Sequence, residues 1–191
     1  MTKLRLDIST SLDGFVAGPN RTVEQPLGDG GEQLHEWIFG LASWMESHGV
    51  EGEGATGPDD DLVREQLAQP GAVLMGRRMF SGGAGAWEDD PMAEGWWGDT
   101  PPFHMPVFVL THYEREPLIL SDTTFTFVTD GIESAMERAR EAAGDKDVFI
   151  GGGAEVINEY LAAGLIDELE LHVAPILLGA GARSSTASAR I

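Results

Sequence analysis

The chain contains no cysteine, so disulfides, thiolate nucleophiles and cysteine-based zinc sites are excluded together. Positive charge is scarce as well. Only 12 lysines and arginines stand against 32 aspartates and glutamates, a formal net charge of −20, and such a chain offers no broad basic surface to nucleic acid or anionic lipid. Any bound anion must be held by local positive charge. No apolar run approaches the ~20 residues that span a bilayer, and Met1-Thr2-Lys3-Leu4 opens a charged, alternating segment instead of a signal peptide. The chain therefore reads as cytoplasmic, with neither nucleic acid nor membrane as partner. His35, His48, His104, His112 and His172 show no H-x-x-x-H spacing, and both the G-x-S-x-G elbow and the G-x-x-x-x-G-K loop are missing. Zinc, serine-hydrolase and ATPase chemistry thereby lose their key residues, and no metal site is expected.

What is present suits one globular domain: 191 residues, 42% of them hydrophobic, with no internal repeat. The alternation in Leu4-Arg5-Leu6-Asp7-Ile8 predicts a half-buried strand ending in a turn at Ser11-Leu12-Asp13-Gly14. Leu34, Trp37, Ile38, Leu41 and Met45 recur at helical spacing and predict a first long helix. Further strands are expected at Ala72–Met75, Val107–Leu110, Phe125–Val128, Val148–Ile150 and Leu169–Val173. Amphipathic helices carrying Ile132, Ala135, Met136 and Ala139, then Val156, Ile157, Tyr160 and Leu161, fall between the later strands. Strands alternating with helices predict an α/β fold, a mainly parallel central sheet with helices on both faces, and ligands of such sheets bind beyond the carboxyl ends of the strands. The stretch from Ser81 to Met105, rich in Gly, Pro and Trp, is a long loop that covers a ligand or packs on its own sheet.

Two strand ends carry the chemistry. Gly76-Arg77-Arg78 follows a continuous apolar strand and is the only pair of neighbouring basic residues. Adjacent guanidinium forks suit phosphate oxygens, and a surface ion pair with one of the many carboxylates is the alternative. Gly151-Gly152-Gly153 lies between another strand and the helix that starts near Ala154, where bare backbone and a helix amino end favour an anion; a plain turn is the alternative. Gly52-Glu53-Gly54-Ala55-Thr56-Gly57 has the letters of a dinucleotide fingerprint, but no strand precedes it. Asp59, Asp60 and Asp61 begin a helix and read as capping charge, with a divalent cation as the other use. Asp13 is the candidate for polar substrate contact, against a simple Asp-Gly turn.

With these residues in view the chain resembles the dihydrofolate reductase superfamily. The branch is that of the reductase domain of riboflavin-biosynthesis deaminase-reductases and its stand-alone bacterial relatives. The resemblance lies in Ser11-Leu12-Asp13-Gly14-Phe15-Val16-Ala17-Gly18, Val73-Leu74-Met75-Gly76-Arg77-Arg78-Met79-Phe80, Val107-Phe108-Val109-Leu110-Thr111 and the block from Val148 to Gly181. It implies a dihydrofolate-reductase-like three-layer reductase of the 5-amino-6-(5-phosphoribosylamino)uracil reductase type, holding NADPH at the carboxyl edge of the sheet. Arg77, Arg78, Thr111 and His112 are then expected to face cofactor phosphates, and Gly76, Gly151, Gly152, Gly153, Ala154 and Glu155 to pass close to the cofactor. The resemblance also implies a cis bond between Gly151 and Gly152, and places Ala17 and Gly18 near the nicotinamide. Met79 stands where the folate enzymes commonly have Thr, and Gly151 where the riboflavin reductases usually have Glu. Glu32, Glu36 and Glu46 compete for the role of a carboxylate that the folate enzymes carry on the first long helix.

The relatives continue past Gly-Ala-Gly with Leu-Phe-Asp-Gly and further strands, whereas this chain ends in Ser184-Ser185-Thr186-Ala187-Ser188-Ala189-Arg190-Ile191. Codons for Ser184 to Arg190 can be chosen so that a one-base shift reads Leu-Phe-Asp-Gly-Ile-Gly-Glu. The expectation is a reductase domain over 1–183 and an irregular tail over 184–191, with the closing strands truncated. An edge left open at Leu169–Val173 would favour a homodimer or poor stability. The expected activity is hydride transfer from NADPH to a small pterin-, pyrimidine- or riboflavin-precursor-like heterocycle. The competing expectation is a non-catalytic nucleotide-binding protein that keeps the cofactor cleft.

Overall fold

The structure, a computed structural model, describes residues 2–184. β1 (Leu4–Ser11) and β2 (Phe15–Ala17) are followed by a 3-10 turn at Gly31–Leu34 and by α1 (Glu36–Phe39), α2 (Ala42–Ser47) and α3 (Pro58–Ala68). β3 (Pro70–Gly76) runs straight into α4 (Arg77–Ser81). Beyond a long loop, β4 (Pro106–Leu110), β5 (Leu118–Leu120) and β6 (Thr123–Val128) lead to α5 (Ile132–Ala143). β7 (Asp147–Gly152), α6 (Ala154–Ala162), β8 (Glu168–Ala174) and β9 (Ala182–Arg183) complete the described chain. The main sheet has the order β5-β6-β4-β3-β7-β1-β8, parallel throughout except for the β5–β6 hairpin. β2 and β9 form a separate antiparallel pair.

The apolar run Ala72–Met75 is buried on both faces, as expected of a central parallel strand. On one face Leu4, Leu6, Leu74, Val148 and Ile150 pack under Ala135, Ala139 and Ala143 of α5 and Val156, Ile157 and Tyr160 of α6. The alanines recur every four residues, so α5 settles close to the sheet: a methyl on Gly71 would lie 2.7 Å from the Ala143 carbonyl. On the other face Val73, Met75, Val107, Val109, Phe125 and Phe127 pack with Phe80 of α4 and with Trp87, Trp97, Phe103 and Met105 of the long loop. Edge-to-face contacts such as Trp87 with Phe127 of β6 at 4.9 Å fix that loop on its own sheet.

The single long helix expected over Leu34–Met45 is instead three short pieces. Gly40 weakens the middle, and there the backbone turns outward to bond Ala55, through Ala42 N–H to Ala55 O and Ala55 N–H to Gly40 O. The apolar spacing survives because consecutive turns still present one face. Asp60, from the acidic triplet, is buried and accepts the Ser43 amide at 2.6 Å, so it caps the neighbouring α2 as well as pairing with Arg64 at 3.5 Å. The amide bond and then the nearby arginine hold its carboxyl below the usual range.

The sheet splits at its carboxyl edge. β1 pairs with β8 from Arg5 to Ser11, but with β7 only at Leu4 and Arg5. β7 stays with β3 by skipping a residue, since Leu74 faces Ile150 and Met75 faces Gly152. Gly151 is the bulged residue, and a side chain there would press on Val73. The expected fate of the tail beyond Ser184 lies outside the described residues. Among the described residues no strand pairs with the outer side of β8, where Leu169, Leu171 and Val173 are exposed. No helix is long and apolar enough to cross a membrane among those residues.

Candidate functional site

Three strands of the parallel sheet end in the same way. β3 ends at Gly76, β6 passes through Thr129 and Asp130 to Gly131, and β7 passes to Gly153; each of these glycines is the N-cap of the helix that follows. A glycine N-cap has no side chain with which to accept a hydrogen bond, and the leading amides of a helix have no partner within it. The first turns of α4, α5 and α6 therefore keep open N–H groups, and Gly76, Gly131 and Gly153 line one cleft. Gly76 must lack a side chain, because a methyl would lie 2.9 Å from Val156 Cγ2. A methyl on Gly131 or Gly153 would meet nothing within 4 Å, so backbone is bare toward the cleft at both. Oriented amides and positive dipole ends converging on one hollow form an anion site.

The sequence-predicted residues divide around this cleft. Gly76, Arg77, Arg78, Thr111, His112, Gly153, Ala154 and Glu155 all contribute to its lining. Thr111 is buried, donates its amide to Val128 O at 3.0 Å and accepts the Tyr113 amide through Oγ1 at 3.2 Å. His112 is exposed at the mouth. The cleft measures about 170 Å³, below the ~300–1,000 Å³ of pockets that engulf a drug-sized ligand, so it grips one part of a long molecule.

The two arginines part company. Arg78 has half of its side chain exposed (50%) and a loose contact of 3.8 Å with Glu155. Arg77 has 7% exposed, and its guanidinium bonds Ser81 Oγ and Asp90 while lying 3.6 Å over the Trp87 ring. The expected phosphate contact of the Arg77 fork is thus corrected: one turn of helix separates it from Ser81, and the long loop brings Asp90 and Trp87 to it. Burial pulls the Arg77 guanidinium below its ordinary value, opposed by Asp90. Burial also pushes Asp90 upward, but the Met92 amide, the Ser81 hydroxyl and the Arg77 fork outweigh it and hold the carboxyl low.

Other expectations are corrected as well. The cis peptide bond joins Gly152 to Gly153, one bond later than expected, because the bulge at Gly151 carries β7 on through Gly152. Gly151 and Gly152 are absent from the cleft lining; Gly152, at φ +115°, holds a backbone shape suited to glycine. Ala17 and Gly18 sit in and beside the small β2–β9 pair; the cleft holds one part of a long molecule and does not bear on their expected place near the nicotinamide. Gly18 packs against the Asp29 backbone. Asp13 is not placed as a substrate contact: its carboxylate accepts the Ser11 hydroxyl at 2.6 Å and the Leu178 and Gly179 amides at 3.1 and 2.7 Å. The Ser11 bond first, then those amides, bring its pKa down to about 2. Glu32, Glu36 and Glu46 are exposed, none lines the cleft, and Glu46 is held by Arg64.

Sequence reasoning missed Gly131, Thr129 and Arg21, all of which line the cleft. Gly131 carried the same signal as Gly153, a glycine between a buried strand and an amphipathic helix. Arg21 offered none, being a lone cation in a polar loop. On the far side of the sheet's split, the part of β1 without a β7 partner presents Ser9, whose hydroxyl accepts Trp37 Nε1–H at 3.1 Å. Trp37 stacks on His172 at 4.7 Å.

Comparisons with known proteins give this geometry its relatives. Uncharacterized protein YyaP of Bacillus subtilis (strain 168) is 26% identical over 190 residues, which cover 94% of this chain and 78% of that one. The fold resembles that of a Shewanella sp. PV-4 protein assigned to riboflavin biosynthesis, with a TM-score of 0.57 at 22% identity, covering 96% of this chain and 82% of that chain. It also resembles a Thermotoga maritima diaminohydroxyphosphoribosylaminopyrimidine deaminase/5-amino-6-(5-phosphoribosylamino)uracil reductase, with a TM-score of 0.53 at 16% identity. That match covers 96% of this chain but only 47% of the longer Thermotoga chain. Residues 2–190 match the RibD C-terminal domain, and the chain belongs to that family.

Proposed function

We propose that the protein is an NADPH-dependent reductase that delivers hydride to a small heterocycle of the pterin, pyrimidine or riboflavin-precursor kind. The observation that carries this reading is the cleft itself. Three glycine-capped helix starts and the exposed Arg78 face one hollow in a chain of net charge −20. Membership of the RibD C-terminal domain family supports oxidoreductase chemistry, and the Thermotoga relative's reductase name supports a pyrimidine substrate class.

The residues present fit such a coenzyme. Gly131 and Gly153 leave open backbone toward the cleft, where the first-turn amides of α5 and α6 would donate to phosphate oxygens. Arg78 would add the charge-assisted bond, exchanging its loose contact with Glu155 for phosphate. Thr111 and His112, beyond β4, would border the same group. NADPH, when bound, supplies the hydride. The chain's part is to fix that donor beside the split between β1 and β7, where Ser9 and Trp37 form the β1 side. The outer edge of β8, unpaired among the described residues, favours a homodimer, and the composition favours a cytoplasmic location.

Titration with NADPH and NADH, followed by a screen for substrate-dependent loss of nicotinamide absorbance, tests the reading. Binding of NADPH with turnover of a pyrimidine or pterin supports it. Binding without turnover of any such compound would favour a nucleotide-binding protein that does no chemistry, and binding of neither nucleotide would overturn both.

A further inference from the structure

Acidic residues outnumber basic ones 32 to 12, so an arginine that no carboxylate claims needs a reason. Arg5, Arg64, Arg77, Arg138 and Arg140 each hold an aspartate or glutamate. Arg21 lines the cleft and, among the described residues, has no such partner. Its loop is closed and preformed. Gly18 N–H bonds Leu27 O at 2.7 Å and Asp29 N–H bonds Pro19 O at 2.9 Å, which ties the two ends together. Across the head of the loop Thr22 Oγ1 accepts the Gln25 amide at 3.1 Å and Asn20 Nδ2 donates to Asp29 at 2.7 Å. The loop also rests on the end of α4, since a methyl on Gly82 would lie 3.4 Å from Val23 Cα. Arg21 is thereby held at the cleft by a separate element from the α4 that carries Arg78.

Resting on the coenzyme reading above, we propose that Arg21 and Arg78 form a two-armed clamp for a terminal monoester phosphate and so select NADP(H) over NAD(H). Helix-start amides at Gly131 and Gly153 suffice for a pyrophosphate, whose bridging arrangement leaves each phosphorus a single negative charge. A monoester phosphate carries about −1.5 to −2 at neutral pH, and two exposed guanidinium groups match that charge and offer forked bonds to its oxygens. The remaining cleft-lining cations do not compete for the role, because Arg77 is committed to Asp90 and His112 is a single ring.

Equilibrium titration of the full chain with NADP⁺ and with NAD⁺, followed by tryptophan fluorescence, separates the outcomes. Arg21→Gln is expected to weaken NADP⁺ about tenfold and NAD⁺ less than twofold, with Arg21→Lys recovering part of the loss. The thermal midpoint without ligand should not move, because among the described residues the Arg21 side chain makes no hydrogen bond or ion pair. An unchanged NADP⁺ affinity in Arg21→Gln would overturn the proposal, as would an equal loss for both nucleotides, which would assign Arg21 to the pyrophosphate. Wild-type protein that binds neither nucleotide would instead sink the coenzyme reading on which the clamp rests.

Discussion

At the carboxyl ends of β1 and β8 loose backbone amides are taken up by a side chain, whereas at the ends of β3, β6 and β7 they stay open. In the first corner Asp13 accepts the amides of Leu178 and Gly179, and Leu12 N–H closes on Ile176 O. In the second, Gly76, Gly131 and Gly153 precede three helices and offer nothing. The contrast is not a matter of supply. Aspartates satisfy free amides across the molecule, as Asp60 does for Ser43, Asp90 for Met92 and Asp167 for Leu4. Glu155 and Glu159 line the cleft, but no acidic side chain stands at the three N-cap positions, and that is how a protein of net charge −20 keeps one place fit for an anion.

The arginine pair sharpens the contrast, and the largest expected effect falls on its buried member. Arg77→Met leaves the Asp90 carboxylate buried without its partner, at a cost of about 3–5 kcal/mol, read as a lower urea midpoint. Arg77→Met combined with Asp90→Leu should recover most of that loss, since removing both charges spares the stranded one. If Arg77→Met instead leaves stability intact and abolishes coenzyme binding, the assignment of the two arginines is reversed.

A smaller effect should come from the occupied corner. The Asp13 carboxyl is held at about 2, against 3.8 ordinarily, so ionised Asp13 favours the folded state. Its contribution is fully present above about pH 4 and is lost as pH falls toward 2. Asp13→Asn should flatten the fall in urea midpoint between pH 4.5 and 2.5, by roughly the share that one such group carries, and leave coenzyme affinity at neutral pH within twofold. A wild-type acid slope in the variant would contradict this role.

The smallest effect concerns the one acid at the cleft that touches a cation there. Glu155 shares Arg78 at 3.8 Å and is itself well exposed (71%). Glu155→Gln frees Arg78 and removes a repelling charge, so NADP⁺ should bind about two- to threefold tighter, consistent with the ~0.3–1 kcal/mol of an exposed charge near a helix start. Weaker binding in Glu155→Gln would mean that the carboxylate itself takes part in coenzyme recognition.

Much of the architecture was legible in the residues. Ala72–Met75, Val107–Leu110, Phe125–Val128 and Val148–Ile150 are apolar runs too short for helices, and each forms a strand of the parallel sheet. Gly76 and Gly153 could be found because a glycine between a buried strand and a helix is a local pattern. What stayed hidden depends on contacts between distant parts of the chain. Arg77 and Arg78 are neighbours with equal chemistry, and only the arrival of Asp90 and Trp87 separates them. Asp13 meets amides 165 and 166 residues away. The helix expected over Leu34–Met45 broke because Gly40 and Ala42 found backbone partners at Ala55, which no periodicity reveals.

The open amides themselves can be closed by one substitution. Gly153 has an extended backbone (φ −89°, ψ −170°) that any residue adopts, and a side chain there meets nothing within 4 Å. Gly153→Asp supplies α6 with the cap that Asp13 supplies at the other corner. Titrating this variant with NADP⁺ should show about a hundredfold loss of affinity while the thermal midpoint holds or rises slightly, since an aspartate cap exceeds glycine by a few tenths of a kcal/mol. A folded Gly153→Asp protein that binds NADP⁺ as tightly as the wild type would show that the bare helix starts do not hold the anion.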